Sequence, residues 1–569
     1  MQPESDDLRP GSSLGSAMGH TTATHKHKSP MRRLIHGLKR LNSYSNENSD
    51  SSDEDERSNA PGDGRDGTEE FVERHRVQEI RFNYESLRAR KMFFLTLAKC
   101  LLKFGAPSHR VGSQLNDIAE TLLLNYTLLH LPGVMVISFR DSTTGTNEVH
   151  IVRAAGRVAL SVLEKVYIIF HYVNEDEMLP SEATTQLEEL LAAPPIYPLW
   201  LRCVLSFMSA TLICSLAFAG SILDCVVGGT FACGLQFLGL KGASSSAIYA
   251  NVYEVTGCVL VSFIARLLAS LHGRLFCYNA VASAAITVIL PGFTILTAAL
   301  ETSSKNITCG AVRLVYAIIY TFILGFGLTV GSEFYLLFNE SAATDTDGLA
   351  VTRTIEYLTG FFTPLNVSMT GAEPNQRGFG VSLEIALPPP EAMHMVKGCY
   401  RDPSWTWWRK PLPPYTLFFL VPIYSFLGTM ANLQSYHSRH TPVMIVFSCL
   451  AYTANKGASV ISDRVYVSSS VGALVVGICG NVYGRFSRGG SYTSAVPGLM
   501  FLVPSALGLD GGLLSPYASN ATAESAYMGS FSLGLRMIQV SVGITIGLFI
   551  SQIAVFSVKR EDKVIAVAA

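Results

Sequence analysis

Between Leu199 and Phe556 the chain carries ten apolar stretches, at roughly 199–220, 222–240, 250–271, 278–300, 311–337, 415–434, 442–460, 465–484, 493–514 and 527–556. Each has about the twenty residues that an α-helix needs to cross the hydrocarbon core of a bilayer. Backbone amides and carbonyls have no water to bond there, so runs of this length must fold as helices. Composition agrees: 15% of the residues are charged and the mean hydropathy is +0.30, whereas a soluble chain carries about a quarter charged residues. The fold class read from these features is an α-helical polytopic membrane protein with ten transmembrane helices.

A formal net charge of −1 excludes a nucleic-acid binder, which needs a basic surface. The polar start, MQPESDDLRP, carries no secretory leader. The 11 cysteines include no C-x-x-C pair, and Cys214, Cys233, Cys258 and Cys449 sit in apolar stretches. They read as small buried thiols, with no disulfide framework or zinc site expected.

Residues 1–70 are rich in Ser, Asn, Gly and charge, the composition of a disordered tail. Within them Met31, Leu34, Ile35, Leu38 and Leu41 share a helical face among basic residues. That pattern fits an interfacial helix on anionic lipid or a solvated tail. Residues 71–195 read as a cytosolic α/β domain. Its first helix ends at Gly105, and its second starts with Ser108 as N-cap. PGVMVISFRD and NEVHIVRAA are expected strands, and two further helices follow before the membrane.

The ten stretches divide into a first five-helix repeat (196–338), an extracytoplasmic linker (339–413) and a second repeat (414–558), followed by a cytosolic tail (559–569). Pro291–Gly292 in the fourth stretch matches Pro497–Gly498 in the ninth, and Arg313 matches Arg536. Five is odd, so the halves of a 5+5 repeat lie inverted, as in secondary transporters whose substrate binds at broken helices near the midplane. Arg439, Arg485 with Arg488, and Lys559 with Arg560 mark alternate loops, while the loop holding Asp510 and Glu524 has no Lys or Arg. The positive-inside rule then puts both termini in the cytosol. Arg202 and Lys241 agree and Arg274 opposes. The linker faces outside or a lumen, and Asn366 and Asn520 are glycosylation candidates there, whereas Asn306 would stay unmodified. The host is the plasma membrane or an internal membrane such as the vacuole.

Three sets of residues make the chain resemble a known family. They are LAKCLLKFGAPSHRVGSQLNDIAETL with PGVMVISFRD, LPGFTILTAALE with GAVR, and VPGLMFLVPSALG. On them, and over about residues 85 to 556, the chain resembles the threonine/serine exporter family, in particular its fungal branch of pheromone-regulated membrane proteins. The resemblance implies a cytosolic N-terminal domain, ten spans in two halves and proton-coupled amino-acid export. It also implies an acidic residue at Glu301. The long charged tail and the extended linker depart from the compact bacterial pattern.

A Pro–Gly break frees backbone groups that could hold the carboxylate and ammonium of an amino acid, so Pro291, Gly292, Pro497 and Gly498 are candidate substrate-binding residues. Packing kinks are the competing reading. Glu301, Glu254 and Glu333 are candidate proton carriers, since carboxylates at membrane depth are costly and functional. Glu301 also reads as a solvated loop residue. Arg313 and Arg536 could pair with these acids or with substrate, or snorkel to headgroups. No HExxH or Walker A motif is present, so no catalytic residue, metal or cofactor is expected. His109 and His150 read as structural. The resulting expectation is a proton-coupled exporter of threonine- or serine-like amino acids, with the bilayer, substrate and protons as partners and homo-oligomerisation open. The alternative is a membrane scaffold or signalling protein in mating or fusion.

Overall fold

The structure is a computed structural model that describes residues 86–140, 145–154, 156, 158–242, 247–271, 275–339, 354–361, 380–387, 395–396, 399–462, 464–486, 491–508 and 523–556. The 1–70 tail, the 559–569 tail, Asn366 and Asn520 lie outside the described residues.

The part that precedes the membrane-length helices begins with α1 (Leu87–Lys103), whose first turn is capped by the Ser86 hydroxyl accepting the Ala89 amide at 3.3 Å. Gly105, at φ +84°, turns the chain into α2 (Ser108–Thr121). Ser108 is the first helical residue, not the expected N-cap; that position belongs to Pro107, which has no side-chain donor or acceptor. Three antiparallel strands follow in the order β1 (Tyr126–Leu131), β2 (Val134–Arg140), β3 (Asn147–Arg153). β1 was not anticipated from the sequence, because its run is short and flanks a turn. Strand periodicity turns Met135, Ile137 and Phe139 toward Phe93, Phe94 and Leu97 of α1. Helices α3 (Leu160–Asn174) and α4 (Pro180–Ala192) close this core.

The apolar stretches form α5 (Leu199–Phe218), α6 (Ile222–Gly242), α7 (Ala247–Ala269), α8 (Tyr278–Ile286), α9 (Gly292–Ser303), α10 (Ile307–Phe338), α11 (Leu417–Ala431), α12 (Thr441–Ile461), α13 (Val465–Phe486), α14 (Ser491–Leu507) and α15 (Ala523–Phe556). Among the described residues eight helices are long and apolar enough to cross a membrane. The fourth and ninth stretches are the two that fall short. Pro291 divides the fourth into α8 and α9, because proline supplies no amide and clashes with the preceding turn. The ninth is 17 residues long.

These two stretches are also the most enclosed. Every α8 residue from Asn279 to Ile286 is buried, as is all of α14 except Met500. Their sequences, YNAVASAAI and SYTSAVPGL, are rich in Ala, Ser and Gly, which let backbones approach closely where lipid offers no hydrophobic contrast. Around them α5 packs on α6, α6 on α8 and α7 on α10. In the second half α11 packs on α12, α12 on α14 and α13 on α15. Across the halves α5 meets α11, α9 meets α14 and α10 meets α15.

The linker contributes β4 (Thr354–Phe361) paired with β5 (Gly380–Leu387), and the short pair β6 (Met395–Val396) and β7 (Cys399–Tyr400). It is tied to the bundle by a disulfide between Cys399 and Cys277, the residue preceding α8. This corrects the expectation of no disulfide; Cys214, Cys233, Cys258 and Cys449, the four read as buried thiols, are free, with Cys214 and Cys258 buried and Cys233 and Cys449 half-buried. Beside the disulfide, Arg401 pairs with Asp224 at 2.6 Å, and the carboxylate also accepts the amides of Ser221 and Cys277. Asp224 is fully buried, and these donors satisfy a charge that burial would otherwise penalise.

Candidate functional site: the broken helix and its far end

Between Ile286 and Gly292 the backbone leaves the helical ladder. The amides of Ile289 and Leu290 still reach back to the Ile286 carbonyl, and the Gly292 amide bonds Leu290. The Ile289 carbonyl is left to a side chain: the Tyr320 hydroxyl of α10 donates to it at 3.2 Å. That hydroxyl also lies against the Glu254 carboxylate of α7, which accepts the neighbouring Tyr253 hydroxyl at 3.2 Å. A carbonyl outside the helical ladder, two phenols and a partly buried carboxylate thus converge where α8 gives way to α9. Acceptors of this kind suit an ammonium group or a proton.

The second Pro–Gly pair behaves differently. Pro497 and Gly498 sit inside a continuous α14, so the expected second break is absent. Gly498 presses on the α12 backbone instead: an added Cβ would lie 3.3 Å from the Phe447 carbonyl. Gly292 has no such neighbour, the nearest atom being a Val503 methyl at 3.9 Å. The second glycine thus serves helix contact, whereas no close neighbour requires a glycine at position 292. Between α5, α12 and α14 lies a cavity of about 10 Å³, lined by Asn455, Lys456, Ser505 and Tyr452 among others. The Asn455 amide nitrogen is buried there without a hydrogen-bond partner.

Glu301 is in the last turns of α9 and is 0% exposed, which removes the solvated-loop reading. One carboxylate oxygen accepts the Ser108 amide at 3.0 Å. The other lies 3.1 Å from Arg313 Nε, an ion pair without hydrogen-bond alignment. Glu301 therefore supplies from a distance the cap that Pro107 cannot, and its charge complements the positive end of α2. Asn306, ahead of α10, donates from its amide to the Ser108 hydroxyl at 2.9 Å. Two residues along α2, buried Arg110 lies over the Tyr492 ring of α14 at 5.5 Å. The Tyr492 hydroxyl donates to the Gly105 carbonyl at 3.3 Å.

Arg536 is buried in α15 at 7% exposure, which is no headgroup-snorkelling position. Glu333 lies near the end of α10 beside Ser332, whose hydroxyl receives Arg266 Nε at 2.8 Å. His150 pairs with Glu148 on the domain surface. Among the described residues no three His, Cys, Asp or Glu side chains gather as a metal site. Sequence reading missed Tyr320, Tyr253, Ser108 as a partner of Glu301, and the Asp224–Arg401 pair. Cys277 and Cys399 did carry a signal, since both fall outside the apolar stretches.

Two sequence models of threonine/serine exporters match the chain, one over residues 92–335 and the other over residues 419–554, together more than half its length. Similar curated proteins are fungal. The pheromone-regulated membrane protein 10 of Debaryomyces hansenii is 30% identical over 82% of this chain and 42% of that protein. Those of Eremothecium gossypii and Saccharomyces cerevisiae are 29% and 28% identical over 84% of this chain, and over 58% and 56% of their own lengths. The chain thus spans about half the length of the curated relatives it matches. No solved structure matches.

Proposed function

The chain belongs to the threonine/serine exporter family, and from that premise we propose that it is a proton-coupled secondary transporter carrying a threonine- or serine-like amino acid out of the cytosol. The observation that carries this reading is the broken helix. Its Ile289 carbonyl, outside the helical ladder and held by the Tyr320 hydroxyl, stands beside Glu254 among half-buried residues of α7, α10 and the break. The Pro291–Gly292 break binds the amino acid, and Glu254 carries the proton. Arg313 and Arg536 hold neighbouring helices in register. The Pro497–Gly498 helix packs opposite the break and forms the far wall.

Ten crossings arranged as two inverted five-helix halves underlie this mechanism. The matched packing in each half supports it, with first on second, second on fourth and third on fifth stretches. Contacts between equivalent stretches across the halves support it too. The Cys277–Cys399 disulfide favours an oxidising exterior or lumen for the linker, which leaves the N-terminal domain and both termini in the cytosol.

The test is flux of labelled threonine and serine in liposomes under an imposed pH gradient, in wild type, Glu254→Gln and Tyr320→Phe. Gradient-driven flux that loses its pH dependence in Glu254→Gln supports the reading. Persistent pH dependence in that variant moves the coupling to Glu301 or Glu333. No flux of any small amino acid through folded wild-type protein overturns transport and leaves a scaffold role.

A further inference from the structure

We propose that the start of α2 is the cytosolic gate of the transport path, closed in this structure by its contacts with Glu301, Asn306 and Tyr492. The proposal rests on the transporter reading above and adds the element that admits substrate. α9 ends and α14 begins on the side of the bundle that carries the soluble domain, and these helices contact each other. Any path running from the break between them to the cytosol must emerge there. The residues found at that mouth belong to one turn of α2: Ser108 on Glu301 and Asn306, and Arg110 over Tyr492. Ser108 is 2% exposed and Arg110 is 1% exposed, so the turn fills the mouth.

The domain is also held at a second, separate place. The amides of Leu160 and Ser161, at the start of α3, donate to the carbonyls of Asn432 and Leu433 in the α11–α12 turn. Gln434 Nε2 donates to Glu164 at 3.0 Å, and the Tyr197 hydroxyl donates to the Gln434 carbonyl at 2.6 Å. Two attachments of different kinds are what a hinged cover requires. The α3 attachment joins Leu160, Ser161 and Tyr197 to backbone carbonyls of the α11–α12 turn, and the Glu164 carboxylate to Gln434, Ser438 and His440. The α2 attachment rests on Ser108 meeting Glu301 and Asn306, and on Arg110 and Gly105 meeting Tyr492; a displacement of about 1 Å breaks hydrogen bonds of this kind. Opening frees the Ser108 amide and the Glu301 carboxylate to water, which replaces both bonds. Hinge closure of this type is a standard route to alternating access.

Two measurements test the gate on the full-length chain in liposomes. Ser108→Cys is labelled with a membrane-impermeant maleimide from the domain side, with and without threonine or serine; wild type, with its own buried Cys309 in the same cluster, is the control. The gate predicts that substrate changes the labelling rate several-fold. A rate indifferent to substrate, in protein that transports, overturns it. The pair Ser108→Cys with Asn306→Cys, whose native side chains touch, is then oxidised. Flux should stop on oxidation and return on reduction, while oxidised wild type keeps transporting. Full flux through the cross-linked pair overturns the gate and leaves the transporter intact. Absence of flux in wild type overturns the transporter reading itself.

Discussion

The carboxylate of Glu301 accepts the backbone amide of Ser108 at 3.0 Å, across 193 residues of sequence. A membrane helix thereby completes the first turn of a helix in the soluble domain. Its second oxygen faces Arg313, so one buried group serves two partners. Removing one member of a buried pair strands the other, at a cost of about 3 kcal/mol. Glu301→Ala should lower the thermal stability of detergent-solubilised protein by that order. Glu301→Gln, which keeps an oxygen for Ser108, should lose less. Equal losses in the two variants would mean that the cap contributes nothing.

The two glycines of the Pro–Gly pairs should respond oppositely to a methyl group. Gly292→Ala meets nothing closer than 3.9 Å, and stability should change by less than about 0.5 kcal/mol. Gly498→Ala pushes on the Phe447 backbone at 3.3 Å and should cost about 1–3 kcal/mol, as overpacking does. Unfolding of the two variants side by side decides this. A larger loss in Gly292→Ala would contradict the assignment of their roles.

Acid should loosen the soluble domain through two histidines. Burial, with nearby Arg110, pulls His109 down to about 3. Burial and then Arg313 pull His130 down to about 4, against a hydrogen bond with the Ser108 backbone that raises it. Both are neutral when folded and take a proton near pH 6.5 when unfolded. Their contribution to stability is therefore complete above pH 6.5 and is lost as pH falls toward 4 and 3. The Tm should drop between pH 7 and pH 5. The drop should shrink in His109→Asn and His130→Gln, and shrink most in the double variant. An unchanged pH profile in the double variant would assign the acid sensitivity to other groups.

The linker latch should fail in two separable ways. Cys399→Ser opens the link to Cys277 and should cost about 2–4 kcal/mol. Thiol labelling of the unfolded protein without reductant should then find one more reactive cysteine than in wild type. Arg401→Met leaves the buried Asp224 carboxylate to the donors of Ser221 and Cys277 and should cost about 3 kcal/mol with the disulfide intact. A silent Arg401→Met would mean that those donors suffice.

The apolar stretches and the Pro291 break were readable along the chain, because membrane length and the missing proline amide are local properties. Glu301 could be picked out as unusual, since a carboxylate at the end of an apolar run is costly wherever it goes. Its partners could not be named. Whether it faced water, a cavity or Arg313 depended on a helix 193 residues away whose own cap position is a proline. Pro497 marks the same boundary from the other side: it has the same local chemistry as Pro291, yet its helix continues, because α14 is enclosed on nearly every side by packed neighbours. Backbone chemistry proposes where a helix can break and which charges must find partners. The packing of distant segments decides whether the break occurs and which partner is found, since those energies come from groups that sequence proximity does not bring together.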